Sequence, residues 1–297
     1  MKKTTVLLLT ICALAMLPSC QKEGGIDESE RKAMKFYASY IYEAATKAPT
    51  VFPSGNKATI IGYTAGATVS SATPVAGTPV EATGGASGTL SPAAALFLPK
   101  GSYDFYSVSL NSTTPAGLTF ISGVSAQLSN GSDYLWAKHA SVSEGGAVAF
   151  SYSHKSAGME INVSAGTGVT GLTVTSIKFT PAKPDASSKM NLSTGTIGAA
   201  AVKDVLTSMS LTSNKGTFIM VPLASQSLNV EVTVNATIGG TSLSGKVYTA
   251  TIPAQVYNGG TYYTLNLTVS ATSMSFTGAQ VDEWTSQTIT GLTLIEQ

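Results

Sequence analysis

Leu228-Asn229-Val230-Glu231-Val232-Thr233-Val234-Asn235-Ala236-Thr237-Ile238 alternates apolar and polar side chains along its whole length. A period of two sends every second side chain to the same face, so the stretch predicts an antiparallel strand with one face buried and one in water. The pattern returns downstream, where Tyr263, Leu265, Leu267 and Val269 alternate with Thr264, Asn266, Thr268 and Ser270. Upstream it returns in Tyr106, Val108 and Leu110, in Val148, Phe150, Tyr152 and His154, and in Met159, Ile161 and Val163. Asn130-Gly131, Gly145-Gly146, Gly239-Gly240 and Asn258-Gly259-Gly260 punctuate these runs as turns. Only Ala199 to Leu206 has helical spacing, and that for about two turns. Thr64 to Pro92, rich in Gly, Ala, Thr and Pro, reads as a long surface loop or as a weak pair of edge strands. The expected fold class is all-β, arranged as β-sandwiches.

No charged or Pro-rich linker separates the halves. The boundary is placed at Ser156-Ala157-Gly158, between two strongly alternating segments, which gives domains over 32–156 and 157–297. Each is of ordinary domain size.

The amino end carries Lys2 and Lys3, an apolar run from Val6 to Leu17, and then Leu17-Pro18-Ser19-Cys20. That order is a secretory signal peptide over 1–19, too short to span a bilayer as a permanent helix, which needs about 20 apolar residues. Cysteine at the cleavage point resembles the lipobox of bacterial lipoproteins, in which Cys20 becomes the acylated first residue. Residues 20–31 are polar and read as a tether. The other cysteine, Cys12, lies in the removed segment, so the mature chain has no intramolecular disulfide and its fold rests on core burial.

Net charge is +1 and charged residues are 11% of the chain, against about 25% in an average soluble domain. This balance excludes the basic footprint of a nucleic-acid binder. Two histidines are present, His139 and His154. His154 shares parity with Phe150 and Tyr152, so it is expected on the core side of its strand as a hydrogen-bonded structural residue. Neither histidine has companions at metal-ligand spacing. Between Glu43 and Asp282 the carboxylates are thinly scattered, with no pair placed as a glycosidase requires. Gly240-Thr241-Ser242-Leu243-Ser244-Gly245-Lys246-Val247 approaches a phosphate-binding loop, yet Val247 stands where a hydroxyl must hold magnesium and a strand pattern follows. It reads as a hairpin turn, and Gly84-Gly85-Ala86-Ser87-Gly88 as a flexible loop. Tyr37, Tyr40, Tyr42, Tyr134, Trp136, Tyr257, Tyr262 and Trp284 are candidates for a glycan platform, with core packing as the competing role. No catalytic residue, metal or cofactor is expected, and the chain is read as non-enzymatic.

Several segments, taken in order, resemble the fimbrillin family, the type V pilin-like lipoproteins of Bacteroides-type bacteria. They are Met34-Lys35-Phe36-Tyr37-Ala38-Ser39-Tyr40, Thr46-Lys47-Ala48, Asp133-Tyr134-Leu135-Trp136-Ala137, Phe150-Ser151-Tyr152-Ser153-His154-Lys155 with Met159-Glu160-Ile161-Asn162-Val163, Asn258 to Leu265, and Val281-Asp282-Glu283-Trp284. The resemblance implies two transthyretin-like Greek-key sandwiches in tandem, export as an outer-membrane lipoprotein, proteolytic trimming, and assembly with other fimbrial subunits or with itself. Lys47 stands where the family's protease site usually has arginine, so the processing protease is open.

On this reading cleavage falls between Lys47 and Ala48. Met34, Phe36, Ala38 and Tyr40 form the inward face of a first strand that leaves, and the carboxyl-terminal segment with Ile289, Leu292 and Leu294 fills a neighbour's groove. The rival reading is a monomeric surface lipoprotein that binds glycan, since sandwich domains serve that role too.

Overall fold

The computed structural model describes residues 32–40 and 50–270, together with the backbone of two further strands, Met274–Val281 and Leu294–Glu296. Among these residues the only helical element is a 3-10 turn at Ala86–Gly88. Alternation sets everything else.

The first half supplies β1 (Lys35–Tyr40), β2 (Lys57–Thr64), β3 (Val80–Gly84), β4 (Thr89–Pro92), β5 (Ser102–Ser109), β6 (Phe120–Ile121), β7 (Val124–Ser125), β8 (Leu135–Ser143) and β9 (Ala147–His154). Seven of them close into a barrel in the order β1-β4-β3-β2-β5-β8-β9, while β6 and β7 pair separately. A sandwich expectation meets a closed ring here because β1 pairs on both sides, with β4 and with β9. Within Thr64 to Pro92 the strand alternative holds for β3 and β4, which pair as a hairpin. Neither is an edge, since closure leaves the barrel without one.

The second half supplies β10 (Ala157–Ala165), β11 (Val169–Phe179), β12 (Thr207–Ser208), β13 (Ser210–Thr212), β14 (Lys215–Met220), β15 (Leu223–Ile238), β16 (Thr241–Tyr257), β17 (Thr261–Val269), β18 (Met274–Val281) and β19 (Leu294–Glu296). They form two five-stranded sheets, β13-β14-β10-β17-β18 and β12-β11-β15-β16-β19. Met159, Ile161, Leu265 and Leu267 from one sheet share a core with Ile177, Val230, Val232 and Ile252 from the other. Leu228, Val230, Val232, Val234 and Ala236 of β15 are all buried, as their parity requires.

β15 turns into β16 through Gly239 and Gly240, with φ of 57° and 84°. Two successive left-handed residues make the turn whose twist suits a tight hairpin. The stretch that imitates a phosphate loop therefore begins in this turn and runs up β16. Ala199 to Leu206 carries no helix. The Ala200 amide donates to the Pro222 carbonyl at 2.8 Å, and the Ala200 carbonyl accepts from Ala224 at 2.9 Å, so tertiary partners replace helical ones.

β5 connects the two cores. Tyr103 and Phe105 point into the barrel, whereas Tyr106 and Val108 point outward and join Ile61 and Tyr63 in the second core. Residues 32–297 form one compact unit, in which sheet membership changes between His154 and Ala157.

Candidate functional site: the slot of the first strand

In β1 the side chains of Phe36, Ala38 and Tyr40 are buried, as is Met34 just before it, while Lys35 and Tyr37 face water. This alternation fits a strand lying on a barrel interior. Its partners are unequal. β1 runs parallel to β9 over its whole length, from Lys35 opposite Ala147 to Tyr40 opposite Tyr152. Against β4 it is antiparallel and paired at Phe36 and Tyr37. Backbone bonds fix both ends: the Met34 amide donates to Leu96 at 2.9 Å, and the Tyr40 amide to Thr50 at 2.9 Å.

The slot changes character along its length. At the start, the Gly145 amide contacts the Met34 sulfur at 3.1 Å. The Phe36 ring stacks on Phe150, centroids 6.2 Å apart, and meets Phe105 edge-on at 5.4 Å. Such pairs add to the burial energy of the rings. Beside Ala38 the β3–β4 turn comes so close that a Cβ on Gly88 would lie 2.5 Å from the Ala38 carbonyl oxygen, and Gly88 has φ of 73°. Glycine is required there both for the conformation and for the approach.

At the far end the slot is polar. The Tyr40 hydroxyl donates to Asn111 Oδ1, which also accepts from Asn56 Nδ2 at 3.2 Å. Asn111 Nδ2 donates to Asp133 Oδ2 at 2.9 Å, and Asp133 Oδ1 lies 2.8 Å from His154 Nδ1. The His154 ring stacks on Tyr40 with centroids 5.8 Å apart and planes 7° from parallel. The histidine is thus a hydrogen-bonded structural residue at the barrel rim, on the face its parity predicts. Deeper in the barrel, burial pushes the Tyr152 hydroxyl up despite its bond with Ser107, so it stays protonated.

Met34, Phe36, Ala38 and Tyr40 are therefore brought together in one slot. Cys20, Lys47, Ala48, Ile289 and Leu292 lie outside the described residues. Residues 41–49, which contain Lys47, connect Tyr40 to Thr50, two residues joined by a backbone hydrogen bond. Leu294 lies on β19, whose backbone pairs with β16 at Tyr248, Thr249 and Ala250.

Gly88, Asn56, Asn111 and Asp133 were not legible as site residues. Gly88 sits in a Gly-rich stretch, and the other three lie outside the strands, where no period marks them. Of the aromatic candidates, Tyr40, Tyr134 and Tyr257 are buried. Trp136 is half-buried, with its indole N–H donating to the Leu192 carbonyl at 2.8 Å. Tyr37 is exposed and is the only aromatic on the outward face of β1. Tyr42 and Trp284 lie outside the described residues. Among the described residues no three His, Cys, Asp or Glu side chains converge as a metal ion needs.

A model of the fimbrillin-like family matches residues 44–284. Among curated proteins none is significantly similar in sequence. Among solved structures, a candidate cell adhesion protein from Bacteroides uniformis superposes with a TM-score of 0.63 at 17% identity, covering 88% of this chain and all of the other. A second candidate cell adhesion protein, from Bacteroides ovatus, gives 0.60 at 17% identity, over 86% and 99% of the two chains. A fimbrial protein from Bacteroides vulgatus gives 0.55 at 13% identity, over 84% and 99%. At these identities the structures share the fold, and the matched family model spans most of the sequence, so the chain belongs to the fimbrillin-like family.

Proposed function

We propose that this protein is a structural, non-catalytic subunit of a cell-surface fimbria that assembles by strand exchange. One observation carries the reading: the strand that closes the barrel, β1, joins the rest of the chain through residues 41–49, where Lys47 and Ala48 lie. A cut after Lys47 converts β1 from part of the chain into a bound peptide. Its larger apolar side chains are each worth roughly 1.5 to 3 kcal/mol when buried, so a slot without β1 exposes an apolar groove between the unpaired edges of β4 and β9. Such an edge recruits a strand from elsewhere. The carboxyl-terminal segment of another subunit, with Ile289, Leu292 and Leu294, is the proposed donor. Its own edge pairing, through β19, spans three residues. The contact joins two different surfaces, so repetition makes a filament.

In the same proposal the chain divides into two transthyretin-like Greek-key domains over 32–156 and 157–297. It is exported with Cys20 acylated and is held at the outer membrane before assembly. Two or three acyl chains hold stably where one holds marginally. Its partners are other fimbrial subunits or further copies of itself, and a surface receptor is a further candidate.

The test compares full-length mature protein with the same protein cut after Lys47. Cut protein should form a ladder of polymers on a mildly heated gel, uncut protein should stay monomeric, and deletion of residues 289–297 should block the ladder. Cut protein that remains monomeric at high concentration with its tail intact would overturn the strand-exchange role.

A further inference from the structure

The slot of β1 has a direction, and with strand exchange as the premise this direction constrains the donor. Its four inward positions read, from the amino end of β1, as apolar at Met34, aromatic-lined at Phe36, small at Ala38 and hydroxyl-bearing at Tyr40. The last position offers polar side chains, through Asn111 and the Asp133–His154 pair behind it, where the Met34 position offers the Gly145 amide. An apolar side chain there leaves the Asn111 acceptor with one donor fewer, and a polar side chain at the Met34 end meets no such network.

We infer that the donor tail enters opposite in direction to β1, antiparallel to β9, with Leu294 and Leu292 in the Met34 and Phe36 positions, Thr290 at Ala38 and Thr288 at the polar Tyr40 end. In this frame the two large apolar side chains meet the two apolar positions, and the two threonines meet the small position and the polar end. The frame in the direction of β1 that brings Ile289 inward places Gln287, Ile289, Gly291 and Thr293 there. It puts an amide in the apolar end and fills the slot with a single large apolar side chain.

Ladder geometry favours the same direction. β1 pairs with β9 along its whole length in the parallel sense, and in the antiparallel sense with β4 at Phe36 and Tyr37 and with Val51 at Ser39. Reversal makes the long ladder antiparallel and only the short one parallel. Antiparallel pairing is slightly the more stable per residue. On the β9 side, the longer of the two, a reversed donor is therefore slightly better paired than the strand it replaces, which gives exchange a direction.

Cysteine cross-linking between subunits tests this in full-length protein carrying a specific protease site inserted between Lys47 and Ala48. β1 sets Lys35 opposite Ala147 and Ser39 opposite Ser151, so the inferred frame sets Thr293 opposite Ala147 and Ile289 opposite Ser151. Ala147 and Ser151 are exposed, so cysteine there leaves the core intact. Opposed residues in an antiparallel pair lie about 4.5 to 5.5 Å apart, within disulfide reach. After cleavage, Ala147→Cys with Thr293→Cys and Ser151→Cys with Ile289→Cys should give covalent ladders on mild oxidation. Ala147→Cys with Thr288→Cys and Ser151→Cys with Leu292→Cys report the opposite direction and should not.

Ladders from the second set overturn the inference, as does polymer that cross-links in neither set. Absence of polymer from the parent after cleavage overturns the strand-exchange reading itself, and the inference with it.

Discussion

β1 and the β15–β16 hairpin are both paired strands with a buried face, and they are held in opposite ways. The hairpin is joined by two glycines, and its ladder runs from Ile238 opposite Thr241 to Leu223 opposite Tyr257. Its register starts from its own turn and shifts at three irregularities along the ladder, and its two strands stay joined when the chain is broken elsewhere. β1 pairs with β9, more than a hundred residues later in the chain, and in the parallel sense, which no short turn can enforce. Side chains and ladder bonds hold it there, as they would hold a ligand. The difference teaches that a strand can owe its place in a sheet to its own turn or to distant contacts alone.

The largest expected effect tests how much of that hold is packing. Phe36→Ala should destabilise the uncut protein by about 3 to 5 kcal/mol, and Ile252→Ala in β16 by about 2 to 5 kcal/mol, in denaturant titrations. After cleavage only the first should speed the loss of β1, read as release of the amino-terminal peptide on a sizing column. Equal effects on release would erase the distinction.

Two glycines sharpen the comparison next. Gly88 and Gly245 both have positive φ, 73° and 65°. An alanine at either carries about 1 to 2 kcal/mol of left-handed strain. At Gly88 its Cβ also runs into the Ala38 carbonyl, while at Gly245 it meets open space. Gly88→Ala should therefore lower the unfolding midpoint more than Gly245→Ala, and should weaken retention of β1 specifically.

A smaller effect belongs to the polar end. His154→Ala removes the partner of Asp133 and the ring beneath Tyr40, and should cost about 1 to 3 kcal/mol. The loss is one of folding alone. Any hydrolytic activity that disappears in this variant while the melting temperature holds would contradict a structural role.

The smallest effect concerns acid. Burial acts to raise the Asp104 carboxyl, but amide bonds from Ser141 and Gly66 and the nearby Lys138 ammonium outweigh it and hold the group below its ordinary range. A folded-state value depressed in this way contributes stability above the unfolded value of about 3.9. That contribution is lost as pH falls through the folded value. Asp104→Asn should flatten the stability profile below about pH 4, with no change in the retention of β1 at neutral pH.

The hairpin was readable in the sequence because everything that specifies it is local: the alternation from Leu228 to Ile238 and the glycine pair after it. The face of β1 was readable for the same reason. Its position was not, because parallel pairing with β9 and closure of the ring are long-range facts that leave no period behind. β5 shows a second limit. Tyr106 and Val108 gave it one buried face, yet Tyr103 and Phe105 bury the other, since the strand lies between two cores. The polar end was half readable. Parity found His154, but Asn56, Asn111 and Asp133 come from irregular segments that only the fold brings together.

Amide hydrogen exchange before and after cleavage between Lys47 and Ala48, in protein lacking residues 289–297 so that no donor tail refills the slot, tests most directly whether β1 is a removable strand. In uncut protein, amides of β4 and β9 that face β1, around Leu90 and from Val148 to Tyr152, should exchange slowly. After cleavage and removal of the peptide they should exchange as edge amides, while those of β15 and β16 keep their protection. Unchanged protection in β4 and β9 after cleavage would mean that β1 stays in its slot, and would contradict the account.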